Sequence, residues 1–83
     1  MINIKNIFEK DYIYNELIKR NLLTQYKKSK DLLLRWIHWK TDFKLREPKK
    51  DWVYSFRINK QFRAFSYLKN NDLIVYKIDN HQN

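Results

Sequence analysis

Trp52-Val-Tyr-Ser-Phe-Arg57-Ile-Asn-Lys-Gln-Phe62-Arg63-Ala-Phe-Ser-Tyr-Leu68, then Lys69-Asn-Asn-Asp72, then Leu73-Ile-Val-Tyr-Lys-Ile78-Asp-Asn-His81-Gln82 carries three strand-length runs in succession. In Val53–Ile58 the side chains of Val53, Ser55 and Arg57 face one way, and those of Tyr54, Phe56 and Ile58 the other. Asn59-Lys60-Gln61 make a tight turn. In Phe62–Leu68, Phe62, Ala64, Ser66 and Leu68 alternate with Arg63, Phe65 and Tyr67. Lys69–Asp72 is a polar hairpin turn, and Leu73–Ile78 is apolar almost throughout, as a covered central strand is. An antiparallel meander follows, with arginines on one side of the alternation and His81 just past the last strand. An arginine fixed on a rigid sheet holds a phosphate, and an imidazole moves a proton near neutral pH.

Upstream the period changes. Ile2 and Ile4 alternate with Asn3 and Lys5, which suits either a short edge strand or the start of a helix. From about Glu9, Ile13, Tyr14, Leu17 and Ile18 share a helical face, with Lys10, Glu16, Lys19 and Arg20 turned away. Asn21 breaks the pattern. A second stripe, Leu22, Tyr26, Ser29, Leu33, Trp36, Ile37 and Lys40, predicts a second helix and so a helical hairpin. Thr41–Asp51 is a connector holding the single proline, Pro48. Its Arg46–Asp51 part is expected to be exposed, and Phe43 and Leu45 to pack back on the sheet. The expected fold is α+β: an N-terminal helical hairpin packed on a twisted antiparallel sheet of three to four strands.

Eighty-three residues make one domain, 1–83, near the lower size limit for a self-sufficient core. Three Trp, six Tyr and five Phe compensate, because each large ring buries on the order of 150–250 Å². The chain has no cysteine, which excludes thiol catalysis, disulfides and thiolate metal sites. It has no glycine, which excludes Gly-rich phosphate loops and leaves the turns to Asn, Asp and Lys. No apolar run reaches the ~20 residues of a membrane span, and no export signal is visible, so a cytoplasmic location is expected. Eighteen Lys and Arg against nine acids give a net charge of +9, which favours a polyanionic partner such as nucleic acid.

Ser55-Phe-Arg57-Ile-Asn59-Lys-Gln-Phe-Arg63 and the Ile78-Asp-Asn-His81 end resemble the RelE/ParE superfamily of bacterial type II toxins, in particular its RelE-, YoeB- and HigB-like messenger-RNA interferase branches. The likeness is best over Leu45–Gln82 and is one of kind, not residues, in the helical hairpin. The resemblance implies endonucleolytic cleavage of messenger RNA on the ribosome, by attack of the 2′-hydroxyl on the adjacent phosphate. It implies inhibited translation, growth arrest and a cognate antitoxin protein as partner, with no metal, cofactor or membrane needed. It places Arg63 as the phosphate-binding cation, the alternative being an arginine paired with an acid to close the sheet. His81 matches the terminal proton-transfer histidine, the alternative being an exposed tail residue. Arg57 is a second phosphate contact or a salt-bridge partner of Asp79 or Asp51. Some members of the superfamily use an acid upstream of the sheet as base, for which Asp42 and Glu47 are the nearby candidates.

Lys60 and Gln61 in the hairpin, and the basic helix face of Lys27, Lys28, Lys30 and Arg35, are candidate RNA contacts; a solvated surface is the alternative. Tyr54, Tyr67 and Tyr76 either stack on a base or pack. His38, between Trp36 and Trp39, lacks further ligands at helical spacing and is read as structural. Two other functions fit the same scaffold: a non-enzymatic ParE-like gyrase inhibitor, and a catalytically degenerate nucleic-acid-binding protein.

Overall fold

The computed structural model describes residues 3–47 and 52–80. In chain order the elements are β1 (Asn6–Glu9), α1 (Asp11–Lys19), α2 (Leu23–Leu34), a 3₁₀ turn (His38–Thr41), β2 (Lys44–Glu47), β3 (Val53–Arg57), β4 (Phe62–Lys69) and β5 (Asp72–Asn80). The strands form one five-stranded sheet in the order β1-β5-β4-β3-β2. The α+β class and the β3-β4-β5 meander agree with the sequence pattern. Three features differ from it. A strand, not the helical hairpin, comes first. The sheet has five strands rather than three or four. It is mixed, because β1 runs parallel to β5, pairing Ile7 with Leu73 and Glu9 with Val75. The alternation at Ile2 and Ile4 points to the right region but sits too early, since the ladder begins at Asn6; Ile2 itself lies outside the described residues.

Helix α1 buries Ile13 and Leu17, one turn apart, while Tyr14 and Ile18 are exposed. Asp11 in its first turn and Lys19 in its last complement the helix dipole. Its end is a Schellman motif built without glycine. Asn21 takes φ 58°, its N–H bonds to the Ile18 carbonyl (3.0 Å), and the Leu22 N–H bonds to that of Leu17 (2.8 Å). Helix α2 ends the same way. Trp36 takes φ 68°, its N–H bonds to Leu33 (3.0 Å), and the Ile37 N–H to Leu32 (2.8 Å). The apolar stripe therefore does not continue to Lys40 as one helix. It stops at Leu34, and Trp36, Ile37 and Lys40 belong to the turns that follow.

One face of the sheet is covered. Phe56, Ala64, Leu73 and Val75 are fully buried beneath Ile13 and Leu17 of α1 and Tyr26 and Leu33 of α2, with Ile4, Ile7 and Leu22 completing the core. Tyr26 and Phe56 meet ring to ring at 6.1 Å. A charged group is locked into this layer. Glu9, its side chain 8% exposed, accepts hydrogen bonds from the Tyr26 hydroxyl (2.6 Å) and the Lys30 ammonium (2.8 Å). Burial, then the Glu9 hydrogen bond, raises the Tyr26 phenol far above its ordinary value, so it remains a proton donor to Glu9.

The opposite face is the one Arg57 and Arg63 occupy. On β4 and β5 the register slips by one residue between Phe65 and Ser66, so that Phe65 pairs with Lys77 and Ser66 with Val75. This bulge sets Lys77 beside Phe65 and bends the sheet at that point.

Candidate nucleic-acid interface on the open sheet face

Two rungs of the sheet, two residues apart and so on the same face, hold the candidate residues. On the first, Arg57 of β3 lies opposite Arg63 of β4, which lies opposite Asp79 of β5. On the second, Lys44, Ser55, Phe65 and Lys77 stand in a row across β2 to β5. Two arginines directly opposite one another repel, and the carboxylate of Asp42 relieves that repulsion. Asp42 follows the 3₁₀ turn with a left-handed backbone (φ 50°, ψ 49°), a conformation Asp tolerates better than most residues. Its Oδ2 accepts from the Arg63 guanidinium and lies 3.5 Å from both Arg57 Nη2 and Lys44 Nζ. Three cations around one carboxylate leave a net charge of +2.

The two arginines differ in freedom. Arg63 is 6% exposed, and its Nη1 reaches the Asp42 carbonyl and the Ser55 hydroxyl, each at 3.4 Å. Ser55 is itself fully buried and accepts a hydrogen bond from Arg46 Nε at 2.8 Å. Arg63 is thus a pinned strut that holds Asp42 and Ser55. The side chain of Arg57 is 49% exposed and, among the described residues, makes only the longer contact to Asp42. Burial pushes the Asp42 carboxyl up, but the hydrogen bond and charge of Arg63, with the charge of Lys44, outweigh it and hold the group below its ordinary value. Asp42 is ionised at neutral pH.

Beside this cluster stands Phe65, with Arg46 Cζ 6.0 Å and Lys77 Nζ 5.5 Å from its ring centre. Both cations lie over the ring, attracted by its π-face, and ring and cations together are the parts from which single-strand binding surfaces are made. Phe65, Arg46 and Lys77 escape a reading of single residues. Alternation puts Phe65 on the Arg63 side, but Arg46 reaches it from a strand the pattern does not reveal, and Lys77 through the bulge.

The other sequence candidates are spread widely. Lys30 is committed to Glu9. Arg35 pairs with Asp31 at 3.5 Å, an exposed i,i+4 contact. Lys27 and Lys28 are exposed on α2, and Lys60 and Gln61 are exposed in the β3–β4 turn. That turn is fixed by Asn59, whose Oδ1 accepts from the backbone N–H groups of Gln61 and Phe62, each at 2.8 Å. Tyr54 is buried on the covered face, stacked on Phe43 at 4.8 Å, while Tyr67 and Tyr76 lie 6.0 Å apart. His38 lies 5.1 Å from Phe43, and burial lowers its imidazole below the ordinary value despite an opposing hydrogen bond to the Leu33 backbone. Arg57 pairs with Asp42 and not with Asp79; Asp51 lies outside the described residues, as does His81. Asn80, the residue before His81, pairs with Phe62, one position along the ladder from the Arg63–Asp79 pair.

Among the described residues no group of three or more His, Asp or Glu is placed to hold a metal, and no helix is long and apolar enough to cross a membrane. No protein-family model matches this chain, and neither does any curated protein or solved structure.

Proposed function

We propose that this protein is a ribonuclease that cuts messenger RNA on the ribosome, the toxin of a type II toxin–antitoxin pair with RelE-like architecture. One observation carries the reading: two arginines brought to one rung of an open sheet face, bridged by an ionised carboxylate, next to an aromatic ring flanked by two further cations. A message lies across this face with one base on Phe65. Arg57, with half its surface free, takes the scissile phosphate and stabilises the charge that grows on it as the 2′-oxygen attacks. Arg63 keeps Asp42 in place. The Asp42 carboxylate accepts the proton of the 2′-hydroxyl, and His81 gives a proton to the departing 5′-oxygen. The bond from the 2′-oxygen to phosphorus forms, the bond to the 5′-oxygen breaks, and the products are a 2′,3′-cyclic phosphate and a 5′-hydroxyl.

A second reading, a nucleic-acid-binding protein of this architecture that does not cut, draws on a specific fact: both terminal nitrogens of the Arg63 guanidinium are already bonded to Asp42 and Ser55. The two readings separate in a translating extract supplied with purified protein. The ribonuclease fragments messages that are being read; the binder leaves them whole. A gyrase inhibitor leaves them whole too and blocks DNA supercoiling. Intact messages alongside normal supercoiling remove the first and third readings.

A further inference from the structure

Arg57 has a second neighbour besides Asp42. Where the end of β3 meets α2 and the 3₁₀ turn, a cavity of about 260 Å³ opens, lined by Lys28, Lys40 and Arg57 with Gln25, Leu32 and Ile58. Its size is just under the ~300 Å³ at which drug-sized pockets begin, and suits a small group. The three cations come from three different elements, α2, the 3₁₀ turn and β3, and among the described residues no acid lines the cavity. Neither Lys28 nor Lys40 has an ion-pair partner among the described residues, although Lys30, Lys44 and Lys77 each have one.

The walls are held in place. The Ser29 hydroxyl, also on the lining, donates to the Arg57 carbonyl at 2.8 Å and fixes the end of β3 against α2. Gln25 accepts from the Asn59 side chain at 3.0 Å, which leaves its own amide N–H₂ group as a neutral donor. Leu32 and Ile58 are apolar walls that strengthen any charge interaction beside them. Among the described residues, Lys28 and Lys40 stand beside Arg57 without a counter-charge of their own, Arg57 alone having Asp42, and an anion in the cavity relieves the repulsion among the three.

We infer that this cavity is a second phosphate subsite, in which Lys28, Lys40 and Arg57 hold the phosphodiester adjacent to the one that is cut. Arg57 is the shared corner. Its guanidinium lies beside Asp42 on the open face while Arg57 is also a lining residue of the cavity, so the strand passes from the Phe65 platform over Arg57 towards α2. The inference rests on the ribonuclease reading for the identity of the polyanion, but not for the presence of an anion site.

The test measures binding without cleavage. A single-stranded 2′-deoxy oligonucleotide, which cannot be cut, is titrated by fluorescence anisotropy against the full chain, the Lys28→Gln/Lys40→Gln double variant and a Lys19→Gln control. The double variant is expected to lose at least about tenfold in affinity, and the slope of log affinity against log salt to fall by about 0.7, the value for the one phosphate the two lysines hold. The control keeps both. Equal binding by the double variant and the unaltered chain overturns the inference. In a second arm inorganic phosphate is titrated while the amide signals of Lys28, Lys40 and Arg57 are followed by NMR. Phosphate shifts at those amides, with oligonucleotide affinity unchanged in the double variant, mean a pocket for free phosphate and overturn the strand subsite. Failure of the ribonuclease reading looks different: messages survive in the extract, while oligonucleotide binding still depends on Lys28 and Lys40, which supports the subsite.

Discussion

At the scale of the residue, the two arginines of one rung divide the work. Arg63 is buried and bonded to Asp42 and Ser55, so its replacement mixes any functional loss with loss of structure. Arg57 is half exposed and weakly paired, and an exposed ion pair is worth under about 1 kcal/mol. Arg57→Ala should therefore reduce message cleavage by about 10²–10³-fold while the thermal midpoint stays within a few degrees of the unaltered chain. Cleavage assays and melting curves on one preparation check this, and undiminished cleavage removes Arg57 from the site. Asp42 makes a separate prediction through pH. Its folded-state pKa is depressed below the unfolded value of ~3.9, so its contribution to stability is present above that value and is lost as pH falls through the lower, folded one. His38, lowered by burial, has the same sign over a higher window, from ~6.5 downward. Urea midpoints should fall in two stages on acidification, and Asp42→Asn should flatten the more acidic stage alone. An unchanged acidic stage in that variant contradicts the bridging role of Asp42.

At the scale of the element, a chain without glycine must end its helices and turns on residues that carry a Cβ. Asn21, Trp36, Asp42, Trp52 and Asn70 all have positive φ. The absence of glycine makes Asn21 and Asn70 legible as breaks, because Asn adopts the left-handed region readily. Trp36 is not legible. A bulky aromatic has no preference for that conformation, and its spacing from Leu33 and Ile37 continues the helical stripe, so the pattern runs past the true end at Leu34. Asn21→Ala should cost about 1 kcal/mol and Asn21→Gly almost nothing, as read from urea midpoints; equal costs would deny the Schellman end. The central meander is legible for a simple reason: alternation, turn residues and partner strands are all local. β1 and β2 are not. Each has four residues, β1 finds its parallel partner 66 positions away, and β2 is broken by an irregularity between Leu45 and Glu47 next to the only proline.

At the scale of the whole molecule, the net charge of +9 points to a polyanion, and the fold gives that charge an address. Arg46, Arg57 and Lys77 lie on the open face, and Lys28 and Lys40 continue the path around the end of the sheet. The basic composition was readable residue by residue, but the path was not, because Asp42 meets the arginines only through the left-handed end of the 3₁₀ turn, and Phe65 and Lys77 only through strand pairing and a bulge. Of the basic helix face, Lys28 alone joins the path, while Lys30 is turned inward to Glu9. Four phosphates neutralised along a single strand, by Arg46, Lys77, Arg57 and the Lys28–Lys40 pair, predict that log affinity falls against log salt with a slope of about −2.8. Titrations at several salt concentrations measure it, and a slope near zero would mean that the strand is not held by its backbone.

The most direct measurement uses one message in two forms in a translating extract, the natural ribonucleotide strand and a copy carrying a single 2′-deoxy nucleotide at the mapped cut. The natural message should be cut, leaving a 2′,3′-cyclic phosphate, and the substituted copy should remain whole at that position. Equal cutting of both forms, or cutting of neither, contradicts attack by the 2′-oxygen on a phosphate held by Arg57.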